Sequence, residues 1–468
     1  MDILNKEAWE QKALIRAGEL SVSELMQETL TQIETVNPKV NALVNLLNKE
    51  DCDKLTSENC MLEGSLRGIP MAIKDLANVK GFKTTEGSPL YSERVAKQDD
   101  QMVARLRAAG ALFIGKTNTP EFGLGSNTFN PVYGKTKNPY DISKTCGGSS
   151  GGAAVALATR MLSISDGSDM MGSLRNPAAW NNVYGLRPTW GLVPPEPSGE
   201  IFLSQLSTLG PMARSPKDLA MLLDVQANRA ENRAFTTSAA TFSNFTEKPI
   251  IKGIKVGWLG DWGGTLAFED DLLDLSQEGL NEMSSMGAII HDLKAPFAMN
   301  DIWTSWSKLR SWQIANTLSE IYEDPELRKY LKPEAVWEIK RGLSLSGQDI
   351  YKSALKKSKW YNSASELFKK FDLLVLPSTQ VWPFDLAEIY PDSINGQKMD
   401  TYHRWMQVTI PAGLLGLPVV NIPIGFGKNG LPVGLQLIGS KGSDGRILSI
   451  AQAWHEHTKW PDVNIPKF

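Results

Sequence analysis

Histidine, cysteine and long apolar runs are all scarce in this sequence, and each scarcity removes a class of chemistry. Only four histidines occur in 468 residues. They are His291, His403, His455 and His457, and none stands in a His-Glu-x-x-His or comparable ligand spacing, so no metal centre is expected. His455 and His457 are two apart, which on a helix points them to different sides. Three cysteines, Cys52, Cys60 and Cys146, form an odd set with no Cys-x-x-Cys. That argues against a disulfide framework or a zinc site. No run of about 18 apolar residues exists, so no membrane span is expected. The first seven residues, Met1 to Glu7, carry charges where a signal peptide needs an apolar core. The expectation is a cytoplasmic protein. A net charge of −3 provides no field to attract nucleic acid or anionic lipid, so neither is an expected partner.

What is present is the balance of an ordinary globular protein, 42% hydrophobic and 22% charged. No clear linker interrupts the chain, so the expectation is one domain over 1–468. Within it, 1–60 reads as N-terminal helices, 61–220 as the core that carries the chemistry, and 270–361 as a helical insertion on the substrate side. Ser21-Val22-Ser23-Glu24 fits a capping box, and Val22, Leu25, Met26, Leu30 and Ile33 follow at helical spacing. Asn37-Pro38 is expected to end that helix. Gly68 to Asp75 reads as a strand delivering Lys74 and Asp75 at a sheet edge. An amphipathic helix over Gln101–Ala109 and a buried strand from Ala111 then predict a parallel βαβ unit. Further strands are expected at 185–189, 209–214, 254–259, 371–377, 417–423 and 431–439, and a helix from Asp444.

The chain is organised around Gly147 to Ser173. Gly147-Gly148-Ser149-Ser150-Gly151-Gly152 opens the stretch, and Ser168-Asp169-Met170-Met171-Gly172-Ser173 closes it. Between them, Ala153 to Ile164 is mostly small and apolar. It reads as a buried helix running into a short strand, which returns the second serine loop to the first. A serine hydroxyl attacks a carbonyl only when a neighbouring base takes its proton. With histidine scarce, the candidate base is a lysine made neutral by burial, and Lys74 at the end of an apolar strand suits that role. Successive N–H groups over Met170, Met171, Gly172 and Ser173 are candidates for an oxyanion hole, and Gly172 permits a tight approach.

Two other readings share these residues. Gly148-Ser149-Ser150-Gly151-Gly152 also fits Gly-x-Ser-x-Gly, the nucleophile elbow of α/β-hydrolases, with Ser150 as nucleophile and His455 as the histidine. A pure binding module would leave lysine and both serines without a purpose. On the substrate side, Gly123, Leu124 and Gly125 lie in the long Gly/Asn/Pro-rich loop of 120–144. Trp303 and Trp306 share one helix face, as an aromatic wall or as core tryptophans.

Taken in order, these pieces resemble the amidase signature family. Ala72-Ile73-Lys74-Asp75 is similar to the family's lysine strand. Asn118-Thr119-Pro120-Glu121-Phe122-Gly123 and Tyr133 to Pro139 resemble its middle loop, Gly147 to Arg175 its signature, and Leu431 to Gly439 its C-terminal strand. Ser149 and Ser173 stand 24 positions apart, the family's own interval. The resemblance implies an α/β fold with a large mixed β-sheet flanked by helices on both sides. It implies Lys74 as base, Ser149 as relay in a cis peptide bond and Ser173 as nucleophile. It implies an acyl-enzyme and no metal or organic cofactor. The expected activity is hydrolysis of a small-molecule carboxylic amide, with esters, anilides and carbamates open to the same chemistry. The chain departs from the common pattern with Met170 and Met171 in the nucleophile turn and with Cys146 before the first loop, expected to be a buried inert thiol. The family's amidotransferase member binds glutamine partly through an aspartate ahead of the last strand, whereas Trp405 to Pro411 contains no carboxylate. The expectation is therefore a stand-alone amidase, monomer or homodimer. The alternative is a glutamine-hydrolysing subunit of an amidotransferase complex.

Overall fold

A computed structural model describes residues 3–59, 63–194, 196, 200, 202–227 and 241–468. Its centre is a mixed eight-stranded sheet. Across the sheet the strands run Ile289–Asp292, Lys255–Trp258, Leu373–Pro377, Pro432–Ile438, Val419–Phe426, Tyr184–Arg187, Thr208–Ala213 and Ile164–Asp169. The first three pair in parallel; the remaining neighbours pair antiparallel. The middle of the sheet is wholly buried, as in Leu373–Pro377 and Pro432–Ile438, and those strands accordingly read as continuous apolar runs.

Strand alternation shows that helices cover both faces. A Cβ added at Gly434 would meet Ala179 of the Arg175–Trp180 helix, whereas the neighbouring Leu435 meets Gly279 of the Leu272–Ser285 helix. Successive residues of a strand point to opposite faces, so the two helices lie on opposite sides. This is the expected α/β architecture.

A second, three-stranded sheet positions the lysine. Leu112–Thr117 pairs with Leu43–Val44 and, in parallel, with Pro70–Lys74. The Gln101–Ala108 helix links the two parallel strands, as the βαβ reading predicts. Lys74 ends the edge strand. Its backbone N–H donates to Asp166 Oδ1 at 2.9 Å, which ties the small sheet to the edge strand of the large one.

Two expectations need correction. The helix that opens at the Ser21 capping box runs from Val22 to Val40, through Pro38. Pro38 lies in its last turn, where it removes one hydrogen bond near the helix end, and Asn41 in the left-handed region stops the helix instead. The segment 270–361 opens on the Leu272–Ser285 helix but is not helical throughout. The strand Ile289–Asp292 intervenes and joins the large sheet beside Lys255–Trp258. The block proper comprises Met299–Glu323, Pro333–Leu343 and Gly347–Phe368. Its first two helices cross closely at Gly342, where a Cβ would fall 2.1 Å from the Ser311 carbonyl oxygen.

Candidate active site

The Gly151–Ala158 helix is apolar all round and buried along its whole length, which fits a helix packed inside the protein rather than on its surface. It leads into the Ile164–Asp169 strand at the sheet edge. This hairpin of helix and strand brings the two serine loops together. Ser150 N–H donates to the Ser173 carbonyl oxygen at 3.2 Å. The peptide bond between Gly148 and Ser149 is cis. Side chains from a distant loop hold it. Ser126 Oγ donates to the Gly148 carbonyl at 2.6 Å and accepts the Gly148 N–H at 3.1 Å, and Thr128 Oγ1 donates to the Gly147 carbonyl.

Lys74 Nζ lies at 2.8 Å from Ser149 Oγ, 2.9 Å from Ser150 Oγ and 3.0 Å from Ser168 Oγ. Burial pushes its pKa down to about 7, against the pull of the Asp166 and Asp169 charges. A neutral amine has two N–H donors and one lone pair. Nζ donates to all three hydroxyls, and on losing a proton it leaves a lone pair facing one of them. Ser149 and Ser150 are buried, and Ser173 is 8% exposed.

The turn that carries Ser173 is built on Asp169. Its carboxylate accepts from Gly172 N–H at 2.9 Å and Leu174 N–H at 3.1 Å. It also accepts from Arg175 Nε and Nη2, both at 2.9 Å, and from Arg187 Nη1 at 3.3 Å. Burial alone would raise its pKa; the Arg175 and Arg187 guanidiniums outweigh that and hold the carboxyl well below the usual range. Arg175 reaches on to Gln436 Oε1 at 2.6 Å and to the Thr409 carbonyl at 2.8 Å. The C-terminal strand thereby supports the Ser173 turn. Gly172 has φ 85, and a Cβ there would fall 2.7 Å from Thr409 Cγ2 and 2.9 Å from Asn176 Oδ1. One expected oxyanion donor changes role: the Gly172 N–H is already engaged by Asp169, so the candidate donors are Met170, Met171 and Ser173.

The substrate-side residues divide. Gly123 lies close to Ser149, since a Cβ there would sit 3.6 Å from Ser149 Oγ. Leu124 and Gly125 line a narrow cleft with Ser126, Tyr402 and Trp405. Trp303 and Trp306 are instead buried, stacked on each other at 6.0 Å and packed around His403 at 5.2 and 5.4 Å. They reach the site indirectly. Arg310 lies over the Trp306 ring and donates from Nη1 to Met170 Sδ at 2.9 Å. A cavity of about 280 Å³ opens onto Lys74, lined also by Asp166, Ser168, Met102, Trp190 and Leu209.

His455 does not serve Ser150. It hydrogen-bonds Glu7 at 2.8 Å and the Tyr184 hydroxyl at 3.2 Å, which removes the serine–histidine reading. Cys146 is buried and free, and burial pushes its thiol up to about 12. Sequence reasoning missed Ser126, Asp166, Asp169, Arg187 and the contact of Ser168 with Lys74. A carboxylate inside a small-residue turn and an arginine six positions on were a legible signal for Asp169. Ser126 had none, being 22 positions from its partner Gly148.

Comparison with known proteins bears on this geometry. The model of a family described as Amidase matches residues 24–448. One subunit of the glutamyl-tRNA(Gln) amidotransferase from Saccharolobus solfataricus is 30% identical, over 93% of this chain and 94% of its own length. Among solved structures, a bacterial aryl acylamidase of the amidase signature enzymes superposes with a TM-score of 0.90 at 24% identity, covering 97% of this chain and 96% of that one. The 6-aminohexanoate cyclic dimer hydrolase complexed with substrate superposes with a TM-score of 0.88 at 25% identity, covering 100% and 99%.

Proposed function

This chain belongs to the amidase signature family and is a carbon–nitrogen hydrolase, and we propose that it cleaves a carboxylic amide through a relay of Lys74, Ser149 and Ser173. The observation that carries the reading is the hydroxyl cage around a buried Lys74, with Ser149 Oγ at 2.8 Å. Neutral Lys74 takes the proton of Ser149 as Ser149 takes that of Ser173. The Ser173 oxygen bonds to the amide carbon, and the carbonyl electron pair moves onto oxygen. The N–H groups of Met170, Met171 and Ser173 receive that charge. On collapse the proton returns through Ser149 to the leaving nitrogen, the C–N bond breaks, and an ester on Ser173 remains. Water then attacks the ester by the same relay in reverse. Esters, anilides and carbamates pass through the same kind of oxyanion.

Ser173→Ala, assayed on a p-nitroanilide and on an activated ester, is expected to abolish turnover of both. Wild-type-like turnover in that variant overturns the reading.

A second reading concerns the amide itself. The relative 30% identical along nearly both whole chains is named as part of an amidotransferase, and this likeness favours a glutamine-hydrolysing subunit over the stand-alone amidase. Against it stands the absence of a carboxylate from Trp405 to Pro411. Glutamine-dependent ammonia release and co-purifying subunits decide for the complex. Turnover of simple anilides by the isolated chain, without glutaminase activity, decides for the stand-alone enzyme.

A further inference from the structure

Asp166 and Asp169 act on Lys74 and Asp75 follows it in the chain; two of these three carboxylates already have counter-charges. Asp75 lies 3.4 Å from Lys116 on the neighbouring strand. Asp169 is bound by Arg175 and Arg187. Asp166 differs. It is 1% exposed, and among the described residues no cation lies within ion-pair distance of it. Its Oδ1 accepts the Lys74 backbone N–H at 2.9 Å. It lines the same cavity as Lys74 and Ser168. Asp100 faces that cavity too, but accepts from Asn78 N–H at 2.9 Å. Lys116 reaches Asp166 only through space.

A buried carboxylate without a cation is costly, and burial lowers the pKa of the lysine beside it to about 7. In the neutral form that acts as base, the cation appears only during the reaction. We propose that Asp166 is a positioning residue that stabilises the Lys74 ammonium formed when Ser173 attacks. The inference rests on the relay reading above. When the Ser173–carbon bond forms, one proton moves from Ser173 to Ser149 and one from Ser149 to Nζ, leaving an oxyanion and an ammonium. Asp166 takes no proton. Its negative charge lowers the energy of that separated state and leaves the neutral resting state almost untouched, which is the condition for accelerating a step. Its hydrogen bond to the Lys74 backbone fixes its position relative to the strand that carries the base. Burial raises the Asp166 pKa to about 6, against the Lys74 backbone N–H and the Lys74 and Lys116 charges, which favour the ionised form.

The test follows Asp166→Asn, which keeps the oxygen that accepts the Lys74 N–H and removes the charge. Labelling of Ser173 by a fluorophosphonate, and turnover of an anilide, are followed against pH in wild type and variant. Without the anion the ammonium is less stable and Lys74 a weaker base. The rising limb is expected to move toward acid by about one pH unit. The plateau rate should fall about three- to tenfold, as proton transfer to a weaker base requires, with KM unchanged. A residue with a merely structural role lowers the rate without moving the limb. An unmoved limb overturns the proposal. Asp166→Thr, a smaller neutral acceptor, reads the same shift if the asparagine chain is not recovered folded. Wild-type-like labelling in Lys74→Ala would instead sink the relay itself, so the two failures are distinct.

Discussion

Asp169→Asn tests how the Ser173 turn is held. In the native protein one carboxylate, with no exposure, receives two turn N–H groups and both guanidiniums. Its Oδ1 serves Gly172, Arg175 Nη2 and Arg187; its Oδ2 serves Leu174 and Arg175 Nε. An asparagine retains one acceptor oxygen and turns an NH₂ group toward the other donors. At least two donors are therefore left without partners in the interior, each worth about 1–3 kcal/mol. Breaking a buried ion pair from one side costs roughly 3–5 kcal/mol, and the two estimates agree. That is a large share of a typical folding free energy of about 5–15 kcal/mol. The assay is urea denaturation at neutral pH, with fluorophosphonate labelling of Ser173 read at low temperature where the variant is still folded. A loss of several kcal/mol and weak labelling are expected. The sign of the pH dependence adds a second check. The folded carboxyl lies well below its unfolded value, so its contribution is present above the unfolded pKa, about 4, and is lost as pH falls toward the folded one. The gap between wild type and variant should narrow in acid. A variant within about 1 kcal/mol of wild type, still labelling at the native rate, refutes the reasoning, because one such loss exceeds ordinary surface effects.

Further outcomes follow from the same geometry. The wild-type rate should rise through a single limb near pH 7 and then level, because the proposed base is the neutral form of Lys74, whose pKa is lowered to about 7; a rate still climbing tenfold per unit above pH 9 would mean an ordinary exposed lysine, at about 10.4. Cys146 should resist a thiol reagent in the folded protein and react on unfolding, since burial raises its thiol to about 12; mass spectrometry of the labelled native chain decides it. His455→Ala should lower stability by removing the ties to Glu7 and Tyr184, yet leave the labelling rate of Ser173 near native; complete loss of labelling in a folded variant would contradict the assignment.

The chain order alone carried the fold class, the buried strands and the three candidate residues. Their signals are local or periodic: an apolar strand ending in Lys74, two glycine-rich serine loops, and an alanine-rich run too apolar to lie on a surface. Where local signals failed, a tertiary term was stronger. The helix after Ser21 continues through Pro38 because its apolar face, with Ile33, Val36 and Val40, is buried. Ile289–Asp292 is mostly exposed and has no buried alternation; pairing with Lys255–Trp258 makes it a strand. Trp303 and Trp306 have the spacing of a pocket wall, but packing around His403 puts them in the interior.

The sequence by itself determined which residues have the chemistry: a lysine free to be neutral, and serines at turns without side-chain obstruction. Only the tertiary structure decided how they are connected. The Lys74 strand belongs to a different sheet from the strand before Ser173, so no spacing could state that Nζ meets three hydroxyls. Nor could it state that Asp169 has two arginines and that Asp166, among the described residues, has no cation within ion-pair distance. Charge balance in a buried site is set by distances of a few ångströms between segments far apart in the chain, and those distances exist only once both sheets have packed.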